Sequence, residues 1–96
     1  MDRITKAQLE SLVKELNELT NNPLTPYSQV DGKFKANIGN YHLYGAYGAT
    51  ALHQMVNEGG GVRDIVGLSS KRELFNAIKH ILKGYYLAQA GIIQIN

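Results

Sequence analysis

Apolar residues near the start of the chain recur at helical spacing. Leu9, Leu12, Val13, Leu16 and Leu19 fall on one face, while Lys14, Glu15 and Glu18 fall mostly elsewhere. Thr5 followed by Gln8 is a capping box: the threonine oxygen takes one orphan N–H and the glutamine reaches back to the cap. Ile4 and Leu9 occupy the two positions of a hydrophobic staple, and Asn21, Asn22 and Pro23 stop the helix. The period then changes to two. Asp31-Gly32 is a strong hairpin signal, because a type I′ turn needs positive φ at both central residues. After it, Phe34, Ala36 and Ile38 alternate with Lys35 and Asn37, and Gly39-Asn40 offers a second tight turn before Tyr41, His42, Leu43 and Tyr44. This predicts an antiparallel meander over roughly 27–30, 33–38 and 41–45. One long strand over 33–45 with a bulge at Gly39 is the alternative.

Gly45-Ala46-Tyr47-Gly48 reads as a flexible corner. A short helix is expected over about 50–57, capped by Thr50, with Leu52, Met55 and Val56 facing inward and Gly59 ending it. Residues 59–69 then read as a glycine-rich loop. The last helix starts at Ser70, where Ser70 and Glu73 form another capping box. Leu74, Phe75, Ile78, Leu82, Tyr85 and Tyr86 give it a broad apolar face, opposite Arg72, Asn76, Lys79 and Lys83. The tail Gly91-Ile92-Ile93-Gln94-Ile95 is apolar and reads as an edge strand or a subunit contact. The expected fold is α+β: N-terminal helix, short antiparallel β-meander, short helix, glycine-rich loop and long C-terminal helix.

At 96 residues the chain is one domain with a modest stability margin, so oligomerisation is a realistic source of further stability. A formal charge of +2 is too small to indicate a nucleic-acid binder. The charge is uneven, however. Residues 59–96 hold five basic side chains (Arg63, Lys71, Arg72, Lys79, Lys83) against two acidic ones (Asp64, Glu73). That half can meet an anionic partner, or simply be a solvated helix face. With no cysteine there is no disulfide frame, thiolate nucleophile or cysteine-ligated zinc, which suits a reducing cytosol. No signal peptide is apparent, and no stretch approaches the roughly 20 apolar residues of a membrane span.

The unusual segment runs from Tyr41 to Asp64. Tyr41, Tyr44 and Tyr47 supply flat faces for stacking and hydroxyls for orienting a ligand. Gly59, Gly60 and Gly61 expose backbone N–H groups that can hold a phosphate or carboxylate, and Arg63 can neutralise it. A helix C-cap followed by a tight connection explains the same glycines. No Walker loop, dinucleotide fingerprint or nucleophile motif is present. His42 and His53 are candidates for acid–base work with Glu58 or Asp64, or for plain structural roles, and their spacing is not that of a metal site. The stripe Arg72, Lys79, Lys83 can track a phosphate backbone but has no interleaved aromatics.

The run G-N-Y-H-L-x-G-A-Y-G followed by A-L-H-Q-M-V-N-E-G-G-G-V-R-D resembles a family of small uncharacterised proteins of tailed phages and prophages. The resemblance covers the chain from the first helix through Lys71-Arg72-Glu73-Leu74-Phe75. It implies an accessory role in a bacterial host cytoplasm and brings no established chemistry. The combined expectation is a non-enzymatic, cofactor-free protein that binds a small anionic ligand such as a nucleotide at a subunit interface. The ligand-binding candidates are Tyr41, His42, Tyr44, Tyr47, His53, Gly59, Gly60, Gly61 and Arg63. Such a protein can sequester a host defence signal. The alternative is a host-protein or DNA interaction module acting through Arg72, Lys79 and Lys83. Neither expectation involves a membrane, and a homo-oligomer is expected from the apolar tail and from Gly84 beside Tyr85 and Tyr86.

Overall fold

The computed structural model describes residues 3–92. Its elements are α1 (Lys6–Leu19), β1 (Tyr27–Val30), β2 (Lys33–Ala36), β3 (Tyr41–Ala46), β4 (Ala49–Met55), β5 (Val62–Ser69) and α2 (Lys71–Gln89). This is the expected α+β class, opened by one helix and closed by a longer one.

Both capping boxes form. Thr5 accepts from the Gln8 N–H, and Gln8 Oε1 accepts from the Thr5 N–H at 2.7 Å. Ser70 and Glu73 do the same for α2, and hydrogen bonds to the Glu73 carboxylate from the Ser70 backbone N–H and side chain hold it below its ordinary pKa. Ile4 and Leu9 are both buried, as a staple requires. Asn21 takes φ +57° after α1, with the Asn21 and Asn22 N–H groups donating to Glu18 and Asn17 carbonyls. Gly91 (φ +77°) and Ile92 close α2 in the same way onto Ala88 and Leu87.

The strands form two sheets. β1 and β2 make a hairpin through the expected Asp31-Gly32 turn (φ +51° and +78°). β3, β4 and β5 make a separate antiparallel sheet in that order. The third expected strand therefore pairs onward with β4 and not back with β2. The Gly39 N–H donates to Met55 O, and the Met55 N–H to Asn40 O, carrying the chain across. Gly39 needs its freedom here: φ is +95°, and a Cβ would stand 2.3 Å from Asn22 Oδ1.

Three local expectations are corrected. Residues 50–57 are not a helix but belong largely to β4. Leu52, Met55 and Val56 have helical spacing, yet a run this short is ambiguous, and a central strand buries both faces. Residues 51–55 are indeed all buried. Gly59 does not end a helix, since residues 56–61 form the β4–β5 hairpin loop. Residues 62–69 are strand β5, whose alternation is disturbed by irregular register opposite Thr50–His53. The corner at Gly45–Gly48 is a two-residue hairpin turn, with Tyr47 at φ +54° and Gly48 at φ +76°. Ile93–Ile95 of the apolar tail lie outside the described residues.

Both helices pack on one face of the β3–β5 sheet. Leu9, Val13 and Leu16 of α1 and Leu74, Ile78 and Leu82 of α2 meet Tyr41 and Leu52, with Leu43, Ile65 and Val66 against them. Strand alternation sends His42, Tyr44, Ala51, His53 and Asp64 to the other face, where no helix packs. Among the described residues, no helix is long and apolar enough to cross a membrane.

Candidate functional site

The helix-free face carries a compact cluster of rings. His42 and His53 are cross-strand neighbours, as are His53 and Asp64. His53 Nε2 lies 2.7 Å from Asp64 Oδ1. The carboxylate accepts, so this nitrogen carries a proton. The Tyr44 ring stacks on His53 with centroids 4.8 Å apart and planes 14° from parallel. His42 meets the same imidazole edge-on at 5.8 Å. His53 is thus buried by its neighbours on a face that no helix covers, and it serves as the floor of the cluster. Tyr44 stays half exposed (48%).

The far side of the cluster is fixed through Asn40. Its Nδ2 donates to Pro23 O at 2.8 Å, which aims Oδ1 at His42 Nδ1, 3.1 Å away. Burial lowers the His42 pKa, the neighbouring His53 lowers it further, and a hydrogen bond with the Asn40 backbone opposes both. His42 is therefore neutral at pH 7. In the unfolded chain it titrates at its ordinary 6.5, so below that pH the unfolded state binds more protons than the native state. Stability should fall as pH drops from 7.5 to 5.5 and be flat above. A His42→Gln variant should flatten the slope in that window, and melting temperatures measured at half-unit pH steps check this.

The other candidates lie apart from this cluster. Arg63 pairs with Gln54 on the helix side of the sheet, where its Nε and Nη2 donate to Gln54 Oε1 at 3.1 and 2.8 Å. Gln54 in turn donates to Gly39 O. Tyr41 is on that same side. Its hydroxyl is buried and hydrogen-bonded to Tyr85, which pushes its pKa up to about 12 against a smaller opposing effect of Arg63. The glycine N–H groups already have acceptors. Asn57 Oδ1 takes those of Gly59 and Gly61 at 3.0 and 2.9 Å, and Asn57 O takes that of Gly60. An asparagine side chain thus fills the place imagined for an anion. Gly60 has φ +93°, and a Cβ on Gly61 would come 2.3 Å from Asn57 Nδ2. Tyr44, Tyr47, Gly59–Gly61 and Arg63 therefore do not converge on one ligand.

Tyr47 sits at the β3–β4 tip, 99% exposed, in a conformation that a bulky residue adopts at a cost of about 1–3 kcal/mol. On α2, Arg72, Lys79 and Lys83 are exposed. Lys79 and Lys83 border a groove of about 440 Å³ that also takes in Tyr86 and Glu15. The Tyr86 hydroxyl donates to Glu15, which raises its pKa and clips α2 to α1. Among the described residues no group of three or more His, Cys, Asp or Glu could hold a metal ion.

The sequence missed two members of this arrangement. Asn40 and Asn57 are ordinary turn residues by type, and only the register reveals what they accept and donate. Asp64 is one of the two acids the sequence offers to a histidine, and the β4–β5 pairing selects it for His53. No known protein family, curated protein or solved structure matches the chain.

Proposed function

We propose that this chain is a non-enzymatic accessory protein of a tailed phage or prophage that binds a nucleotide through its base, on the helix-free face of the β3–β5 sheet. The observation that carries the reading is the Tyr44–His53 stack: a half-exposed aromatic ring held flat on an imidazole that Asp64 fixes from the next strand. A base laid on Tyr44 extends the stack by one ring, worth about 1–3 kcal/mol. The second Asp64 oxygen can accept from an amino group, which favours cytosine over uracil. Arg63 does not adjoin the stack in this reading, because it is engaged on the opposite face. A nucleoside should therefore bind nearly as well as its nucleotide. A stoichiometric binder of this kind would act by withholding a nucleotide signal of host defence.

Thermal unfolding against paired nucleosides and nucleotides tests the reading. A ligand at 100 times its dissociation constant stabilises the fold by about 2.7 kcal/mol, a rise of about 10 °C or more. Tyr44→Ala should weaken binding by about 5- to 150-fold, and Tyr44→Phe should retain it. Equal shifts for wild type and Tyr44→Ala, or none with any compound, would rule the site out.

A further inference from the structure

We propose that the outer edge of β3, in the trough between that strand and α1, binds an acidic extended segment of a partner protein as an added β-strand. β3 is an outer strand of its sheet. The two-residue turn at Tyr47-Gly48 makes Ala46 and Ala49 the closing hydrogen-bonded pair, so His42, Tyr44 and Ala46 spend their backbone groups on β4. Tyr41, Leu43 and Gly45 then direct their N–H and C=O groups outward. Asn17 of α1 shows that edge at work. Its Oδ1 accepts the Tyr41 N–H at 2.8 Å and its Nδ2 donates to Tyr41 O at 3.0 Å, so one side-chain amide stands in for a residue of a neighbouring strand. Beyond it, the outward backbone groups of Leu43 and Gly45 have no partner among the described residues. Gly45 is exposed. The opposite edge, β5, is blunted by its irregular register, while β3 pairs without interruption over its whole length.

The space beside this edge suits a peptide. A trough of about 350 Å³ runs between Val13 and Leu43, and a second of about 240 Å³ continues it past Gly45. Lys6 and Leu43 line both. An open strand edge beside a helix is the geometry of strand-addition recognition: backbone bonds supply affinity and alternate side chains supply selectivity. The charge decides the occupant. Lys6, Lys14 and Lys71 border the trough against a single acid, Glu10. Glu10 meets Lys6 only in an exposed contact at 3.8 Å, and neither Lys14 nor Lys71 has an ion pair among the described residues. A second copy paired through the same edge would set two such rows of lysines against each other. A strand alternating acidic and apolar residues instead offers carboxylates to the lysines and apolar groups to Val13 and Leu43.

The test uses a fluorescein-labelled octapeptide of alternating Asp and Val, with a Lys-Val counterpart, in fluorescence polarisation at low salt. The full chain should bind the acidic peptide and not the basic one. Gly45→Pro removes one outward N–H at an edge position, where proline is tolerated, and a Cβ there meets nothing closer than 3.9 Å. It should weaken binding by about tenfold, as should Lys6→Glu with Lys14→Glu, whereas Lys79→Glu on α2 should not. Should Gly45→Pro fail to fold by circular dichroism, an acidic peptide N-methylated at alternate amides replaces it and should lose the same affinity. Failure of the acidic peptide to bind, equal binding of the basic or N-methylated peptide, or a wild-type dimer that Gly45→Pro turns monomeric would each overturn the proposal.

Discussion

Asn17→Ala is expected to destabilise the fold by about 3 kcal/mol, lowering the melting temperature by roughly 12–24 °C. Asn17 is 1% exposed, and its amide satisfies both backbone groups of Tyr41. Alanine leaves a buried N–H and a buried C=O without partners, each costing about 1–3 kcal/mol. It also opens a gap where α1 meets β3. Asn17→Leu separates the two causes, because it restores volume without restoring hydrogen bonds. It should remain nearly as unstable as alanine. Differential scanning calorimetry on the three proteins measures this. A loss under about 1 kcal/mol for alanine, or a full rescue by leucine, would show that the amide does not carry the junction.

Why so much of this was invisible in the sequence, and some of it plain, follows from where each signal resides. Local chemistry was legible. Capping boxes need only residues three apart, and Asp31-Gly32 needs only two neighbours, so both helix starts and the first hairpin could be read directly. Long-range pairing was not. The run from Thr50 to Asn57 satisfies a helical period and a buried strand equally well, and the decision comes from β3 and β5 on either side of it. Once β4 is a strand, the site divides. His53 and Gln54 are adjacent in sequence but face opposite ways, so Asp64 joins the histidine and Arg63 joins the glutamine. A reading by sequence proximity groups Arg63 with the tyrosines. Alternation separates Arg63 and Tyr41 from Tyr44. The aromatic density of Tyr41–Tyr47 falls on the strand that supplies Tyr44 and His42 to the ring cluster, and the glycines belong to a turn that needs them for its own closure.

The same division predicts opposite outcomes for two residues in neighbouring register. Leu52 is fully buried at the centre of β4, opposite Leu43 and Val66 and against the cluster that includes Leu74 and Ile78. Leu52→Ala removes three buried carbon atoms from the junction of sheet and helices and should cost about 3 kcal/mol, with a melting temperature lower by roughly 12–24 °C. For a domain of this size, whose total stability is of order 5–15 kcal/mol, that is a large fraction. Tyr44 lies one register pair away, on the face no helix touches, and is already half exposed. Its truncation should cost less than about 1 kcal/mol in denaturant unfolding while removing the ligand response. Leu52→Ala should do the reverse: lower stability, with the ligand-induced shift preserved at a temperature where the variant is folded. Equal losses of stability for the two variants would mean that the sheet does not separate a structural face from a recognition face. The unequal result would show that the sheet builds the core with one face and presents the site with the other.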